Sequence, residues 1–140
     1  MHEVHPGLLW IGHAMDVRDP QSIFDVGISA VIDVAYEETP SGVPRQLVYC
    51  RFPLNDGGGN EPGRIVQALK TTTDFLRSGT KTMVACSAGM SRSPSIAAFS
   101  LALHLSERPE DVLERIGKLK SLEINTDLWN EIRDAIITIQ

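Results

Sequence analysis

Residues 82–105 constrain the fold of this chain more than any other stretch. A short apolar run, Thr82-Met83-Val84-Ala85, leads into Cys86-Ser87-Ala88-Gly89-Met90-Ser91-Arg92, then Ser93-Pro94 and a segment apolar on nearly every side. The order reads as buried strand, tight loop and a helix from residues 95 to 105 that belongs in the middle of the domain. The strand delivers a cysteine to its carboxyl end. The free backbone N–H groups of the helix start point back at that cysteine.

The rest of the chain supplies the frame. With 140 residues and 42% apolar content, residues 1–140 are expected to form one domain with its own core. A net charge of −5 argues against a nucleic-acid or anionic-membrane partner, since either leaves a basic stripe. No apolar run reaches the roughly 18 residues of a membrane span, and the first residues lack the charged and apolar regions of a signal peptide. Two cysteines, Cys50 and Cys86, make neither a disulfide framework nor a zinc pattern, so a reducing, cytoplasmic setting is expected. His2 and His5 have a chelating spacing but sit at an end expected to fray. No metal and no cofactor is expected.

Strand and helix signals alternate. Leu8-Leu9-Trp10-Ile11 closed by Gly12, residues 28–34, residues 47–52 and residues 82–85 read as strands. Asp19-Pro20 opens a short helix with Ile23, Phe24 and Val26 on its buried face and Gly27 at its end. Residues 36–44 read as an exposed loop. Pro62 starts a helix that Gly79 ends, Pro109 starts another with Val112, Ile116 and Leu119 in register, and a last one follows Asn125. The alternation predicts an α/β fold: a mostly parallel central sheet of four to five strands, flanked by helices on both faces. In such sheets the site lies at the carboxyl ends of the strands. Asp56, just past the third predicted strand, then meets Cys86 if the third and fourth predicted strands pair or neighbour.

A free thiol is only about 3% ionised at pH 7, so a nucleophilic Cys86 needs help. The helix start and Arg92 offer it. The same groups suit a tetrahedral dianion: the N–H groups of Ser87, Ala88, Gly89, Met90, Ser91 and Arg92 form a concave nest, and Arg92 adds a charge-assisted fork. Gly89 fits a turn that needs positive φ or close approach to a ligand. Met90 and Ser91 are expected at the pocket mouth. As a lone residue at a strand end, Cys86 reads first as a small buried hydrophobe; the surrounding pattern favours chemistry. Asp56 is the candidate general acid, against the alternative that Asp56-Gly57 is only a turn. Asp33 and Glu37 compete for the acid role, but Asp33 reads as a structural hydrogen-bonding residue and Glu37 as part of a solvated loop. His104 reads as an ordinary core or surface histidine. Arg108, Arg115, Lys118 and Lys120 read as a solvated helix face.

The 86–93 sequence resembles the signature loop of the cysteine-dependent dual-specificity protein phosphatases. Residues 5–12, 27–34 and 125–129 are similar to other parts of the same group. The resemblance implies a phosphocysteine intermediate on Cys86, a phosphate grip by Arg92, assistance from the Ser93 hydroxyl in breaking the intermediate, and a general acid in the segment of Asp56. It also implies a phosphorylated protein or peptide as substrate, with phosphotyrosine first and phosphoserine or phosphothreonine as further candidates. In some relatives a second cysteine forms a disulfide with the nucleophile; for Cys50 a plain core thiol is the alternative. Members usually carry His just before the nucleophile, where this chain has Ala85. Cys86 is therefore expected to ionise at higher pH than is usual for the group. The alternatives are a phosphate-binding protein with little turnover, a phosphatase for a non-protein phosphate ester, and a rhodanese-like sulfurtransferase. No Lys stands between Cys86 and Arg92, which weighs against multiply phosphorylated inositol lipids.

Overall fold

The computed structural model describes residues 1–40 and 42–139. Ser41, within the expected 36–44 loop, and Gln140 lie outside. The strands are β1 (His2–His5), β2 (Leu9–His13), β3 (Ala30–Ala35), β4 (Val48–Leu54) and β5 (Thr82–Cys86). They form one sheet in the order β1-β2-β5-β3-β4. β2, β5, β3 and β4 are parallel, and β1 is antiparallel to β2 at one edge. The mostly parallel sheet anticipated from the alternating pattern is thus present.

Alternation along the strands sends side chains to two cores. On one face Ile11, Ile32, Val84 and Cys86 join the larger cluster with α3 (Pro62–Arg77), α4 (Arg92–Leu105), α5 (Pro109–Gly117) and α6 (Thr126–Ile136). Phe99 of α4 and Trp129 of α6 meet there, with ring centroids 4.4 Å apart. On the other face Trp10, Val31, Met83 and Ala85 pack with Val17 of α1 (Ala14–Val17) and Ile23 of α2 (Pro20–Asp25). A 3₁₀ turn, Ile137–Ile139, follows α6. Among the described residues no helix is long and apolar enough to cross a membrane.

Helix starts follow from local chemistry. Pro62 and Pro109 stand at first helical positions, where a missing N–H costs nothing. Asn125 caps α6 by accepting from the Leu128 N–H at 3.1 Å. Helix α4 begins at Arg92, three residues before the expected start. Pro94 falls in its first turn and needs no N–H partner.

Other expectations need correction. The first residues do not fray: His2 and His5 belong to β1, whose backbone pairs with β2. β4 runs through Pro53 to Leu54, which its edge position permits. Phe24, Val26 and Leu119 are exposed rather than buried: Phe24 lies in the last turn of α2, and Val26 and Leu119 lie just past the ends of α2 and α5. β4 and β5 do not pair, since β3 lies between them.

Candidate active site

The carboxyl ends of the four parallel strands share one edge of the sheet. Central β5 places Cys86 there, and α4 turns back over it. Cys86 is 3% exposed. Its Sγ accepts the Gly89 N–H at 3.2 Å and lies 3.3 Å from the Ser93 hydroxyl. As drawn, the thiol donates to Ser93 Oγ, which donates to the Gly12 carbonyl at 3.4 Å. Ionisation of the thiol leaves an acceptor at Sγ, toward which the Ser93 hydroxyl can rotate. Gly89 has φ of +73°, and an added Cβ would stand 3.1 Å from the Gly12 carbonyl oxygen and 3.2 Å from Lys120 Nζ. Positive φ and a crowded site both require glycine.

The amides of Ala88, Met90 and Ser91 have no hydrogen-bond partner among the described residues. Ser91, the N-cap of α4, makes no capping bond; its Oγ accepts instead from the Asn125 N–H at 2.9 Å. Loop and helix amides therefore stay open toward the cavity, as an anion site requires. Ser87 turns outward and donates to Glu37 at 2.8 Å and to Glu38 at 3.1 Å.

Arg92 is nearly buried and held from two sides. Nη1 donates to Glu37 Oε1 at 2.7 Å and to the Leu54 carbonyl at 2.9 Å, and Nη2 donates to Glu37 Oε2 at 3.0 Å. Both Nη1 hydrogens and one Nη2 hydrogen are thus used. The Nε–H and the other Nη2–H form one planar fork with no partner among the described residues. The hydrogen bonds to Arg92 hold the Glu37 carboxyl at about 2, despite partial desolvation. Glu37 is therefore a fixed anion and no proton donor at neutral pH. Glu37 lies in an exposed loop as expected, and what the sequence did not announce is its grip on Arg92.

Asp56 follows Leu54 by two residues, and the Arg92–Leu54 bond ties that strand end to α4. Asp56, Cys86, Ala88, Met90, Ser91, Arg92 and Glu123 line one cavity of about 100 Å³. Asp56 and Cys86 thus meet although β4 and β5 do not pair. The glycine-rich loop is pinned. Asn60 Oδ1 accepts from the Asn55 N–H at 2.8 Å, and its Nδ2 donates to the carbonyls of Asn55 and Gly57 at 3.2 and 3.0 Å. Glu131 of α6 accepts from the Gly59 N–H at 2.6 Å and the Asn60 N–H at 3.2 Å.

The segment between α5 and α6 covers the far side of the 86–92 loop. Lys120 Nζ donates to the Gly89 carbonyl, and the Glu123 N–H to the Met90 carbonyl at 2.9 Å. Lys120 is therefore not part of a solvated helix face, contrary to the reading of the basic residues near α5. Asp33 is a structural residue: it accepts from the Tyr49 hydroxyl and, at 3.1 Å, from the Ala35 N–H. Cys50 and Cys86 are both free thiols.

The structure thus brings Cys86, Arg92, Ser93 and Asp56 together. Glu37, Lys120, Asn60 and Glu131 are additions that no spacing announced. Only the Glu-Glu pair 37–38 beside a strand end, in a site built for an anion, offered a sequence signal.

No protein-family model matches the chain, and neither does any curated protein sequence. Solved structures do resemble it. Human DUSP28 superposes with a TM-score of 0.85 at 17% identity, covering 100% of this chain and 98% of that one. A mouse putative dual specificity phosphatase complexed with zinc tungstate gives 0.84 at 20% identity, covering 99% and 87%. Human tyrosine phosphatase-like serine/threonine/tyrosine-interacting protein gives 0.81 at 17% identity, covering 99% and 97%. The chain has the dual-specificity phosphatase fold.

Proposed function

We propose that the whole chain is one catalytic domain, a cysteine-dependent phosphatase that hydrolyses phosphotyrosine, and with it phosphoserine or phosphothreonine, in proteins. The observation that carries this reading is that Cys86, Arg92 and Asp56 line one cavity. A phosphate dianion accepts from the open amides and from the free Arg92 fork, which places phosphorus before Cys86 Sγ. The thiolate attacks in line: the S–P bond forms, the P–O bond to the leaving group breaks, and the Asp56 carboxyl gives its proton to the leaving oxygen. Asp56, now a carboxylate, takes a proton from a water that attacks phosphorus. The S–P bond breaks, the thiolate returns with the Ser93 hydroxyl donating to it, and inorganic phosphate leaves.

A neighbour in fold space is named as complexed with zinc tungstate, and tungstate is a tetrahedral oxyanion like phosphate, which is in keeping with an oxyanion ligand. The two free thiols fit a reducing, cytoplasmic setting. A binding protein with little turnover is the second reading, since one neighbour is named tyrosine phosphatase-like and interacting. Turnover of p-nitrophenyl phosphate and of a phosphotyrosine peptide, with Cys86→Ser as control, decides. Release abolished in the variant supports the enzyme. Peptide binding without release supports the second reading, and thiosulfate-to-cyanide transfer would indicate a sulfurtransferase.

A further inference from the structure

Lys120 is a basic residue that reaches the 86–92 loop from outside that loop. Its Nζ donates to the Gly89 carbonyl, while the Gly89 N–H donates to Cys86 Sγ at 3.2 Å. Gly89 is thus gripped on one side by the ammonium and aimed on the other at the sulfur. Two backbone-anchored contacts from the same segment, Glu123 N–H to Met90 O and Asn125 N–H to Ser91 Oγ, keep that segment in register with the loop. Ala85 contributes no polar group beside Cys86 and is buried in the smaller core.

We propose that Lys120 is a positioning residue for Cys86, fixing the loop through the Gly89 carbonyl and supplying a positive charge that favours the thiolate. The inference deepens the phosphatase reading and rests on it for its catalytic meaning. Burial pushes the Lys120 ammonium down from its ordinary range, while Cys86 and then Asp16 pull it up, so the charge at Lys120 and the state of Cys86 depend on each other. The other charged groups around the pair are Arg92 of α4, Asp56 of the loop after β4, and Glu123. Asp16 of α1 and His2 of β1 face Lys120, His13 of β2 lies opposite Cys86 with its Nδ1 3.6 Å from Asp16, and Glu37 reaches the site through Arg92 and Ser87. Arg92 and Lys120 favour the thiolate; Asp56 and Glu123, when ionised, oppose it. Loss of Lys120 therefore moves thiol ionisation to higher pH.

The test uses the full chain with Lys120→Met, Lys120→Gln and Lys120→Arg. The rate of iodoacetamide alkylation of Cys86 is followed against pH by peptide mass spectrometry, beside p-nitrophenyl phosphate kinetics and thermal melting. Lys120→Met and Lys120→Gln are expected to raise the alkylation midpoint by about one pH unit, with the acidic limb of kcat/KM moving alike. Lys120→Arg is expected to restore both. Lys120→Gln keeps a donor for the Gly89 carbonyl, so its melting temperature stays near that of the wild type even if Lys120→Met is unstable. An alkylation midpoint unchanged in a folded Lys120→Gln protein overturns the proposal, as does an equal shift in Lys120→Arg. Alkylation needs no turnover. A shifted midpoint in a chain that hydrolyses no phosphate ester would sink the phosphatase reading and leave the role of Lys120 beside the thiol standing.

Discussion

Glu37 holds Arg92 with both carboxylate oxygens, at 2.7 and 3.0 Å, although 55 positions separate them. The contact uses the end of the guanidinium and leaves the Nε side for a ligand, so Glu37 aims the fork rather than filling it. Replacing Glu37 by Ala frees a nearly buried guanidinium to rotate, and kcat/KM for p-nitrophenyl phosphate is expected to fall about tenfold, chiefly through KM. A rise in kcat/KM would mean instead that the carboxylate blocks the cavity. The same pair carries a pH dependence of stability. The folded Glu37 carboxyl sits at about 2, below its ordinary 4.5. Its stabilisation is therefore full above about pH 4.5 and lost as pH falls from there toward 2. Thermal melts of wild type and Glu37→Gln should converge across that window.

The pinned loop after β4 gives a second expectation. Glu131 accepts two backbone N–H groups of that loop and the Asn60 side chain, the last at 3.2 Å. If those bonds hold Asp56 in place for proton delivery, Glu131→Ala harms substrates in proportion to how much their leaving oxygen needs a proton. A loss of about tenfold is expected on an alkyl phosphate and less than about threefold on p-nitrophenyl phosphate. Asp56→Asn should show the same ordering with a loss of about a hundredfold on the alkyl ester. Equal losses on both substrates would remove Glu131 from proton delivery.

How readable these features are in the sequence depends on where their causes lie. Pro62, Pro109 and Asn125 fix helix starts through their own backbone or side chain, so the helices follow from short windows. The strand, loop and helix around Cys86 are equally local: an apolar run, a glycine with positive φ and an apolar helix adjoin in sequence. Glu37, Lys120 and Glu131 act on partners 55, 31 and 71 or 72 positions away, and only the strand order brings those partners within reach. The order itself, with β5 between β2 and β3, is a tertiary choice that alternation of elements does not determine. β1 has little strand signal of its own, since Val4 is the one apolar residue in His2-Glu3-Val4-His5, and it is a strand through its pairing with β2.

Ser93 is fully buried and bridges Cys86 Sγ and the Gly12 carbonyl. In the attack step the sulfur is a nucleophile, and a hydrogen bond to it helps only modestly. In the second step sulfur leaves as an anion, and the hydroxyl stabilises the charge that develops. Ser93→Ala is therefore expected to slow breakdown of the phosphocysteine by about ten- to a hundredfold while sparing its formation. Rapid-quench assays should then show a stoichiometric burst of p-nitrophenolate and a phosphoenzyme that can be trapped. A lowered rate with no burst would place Ser93 in the first step.

Cys50 is too far from Cys86 to protect it. Cys50 lies opposite Ile32 on β3, and Ile32 lies opposite Val84 on β5, two residues before Cys86. Two inter-strand spacings alone separate their backbones by about 10 Å, beyond the roughly 7 Å that a disulfide spans. Burial also pushes the Cys50 thiol up, so it is a poor attacking group. Hydrogen peroxide should then inactivate the protein by oxidising Cys86 without forming a 50–86 disulfide. Cys50→Ser should lose activity, and regain it in dithiothreitol, at the same rates as the wild type. Non-reducing peptide maps check the point directly: a linked 50–86 peptide accumulating in step with inactivation would require the carboxyl ends of β3 and β5 to come apart.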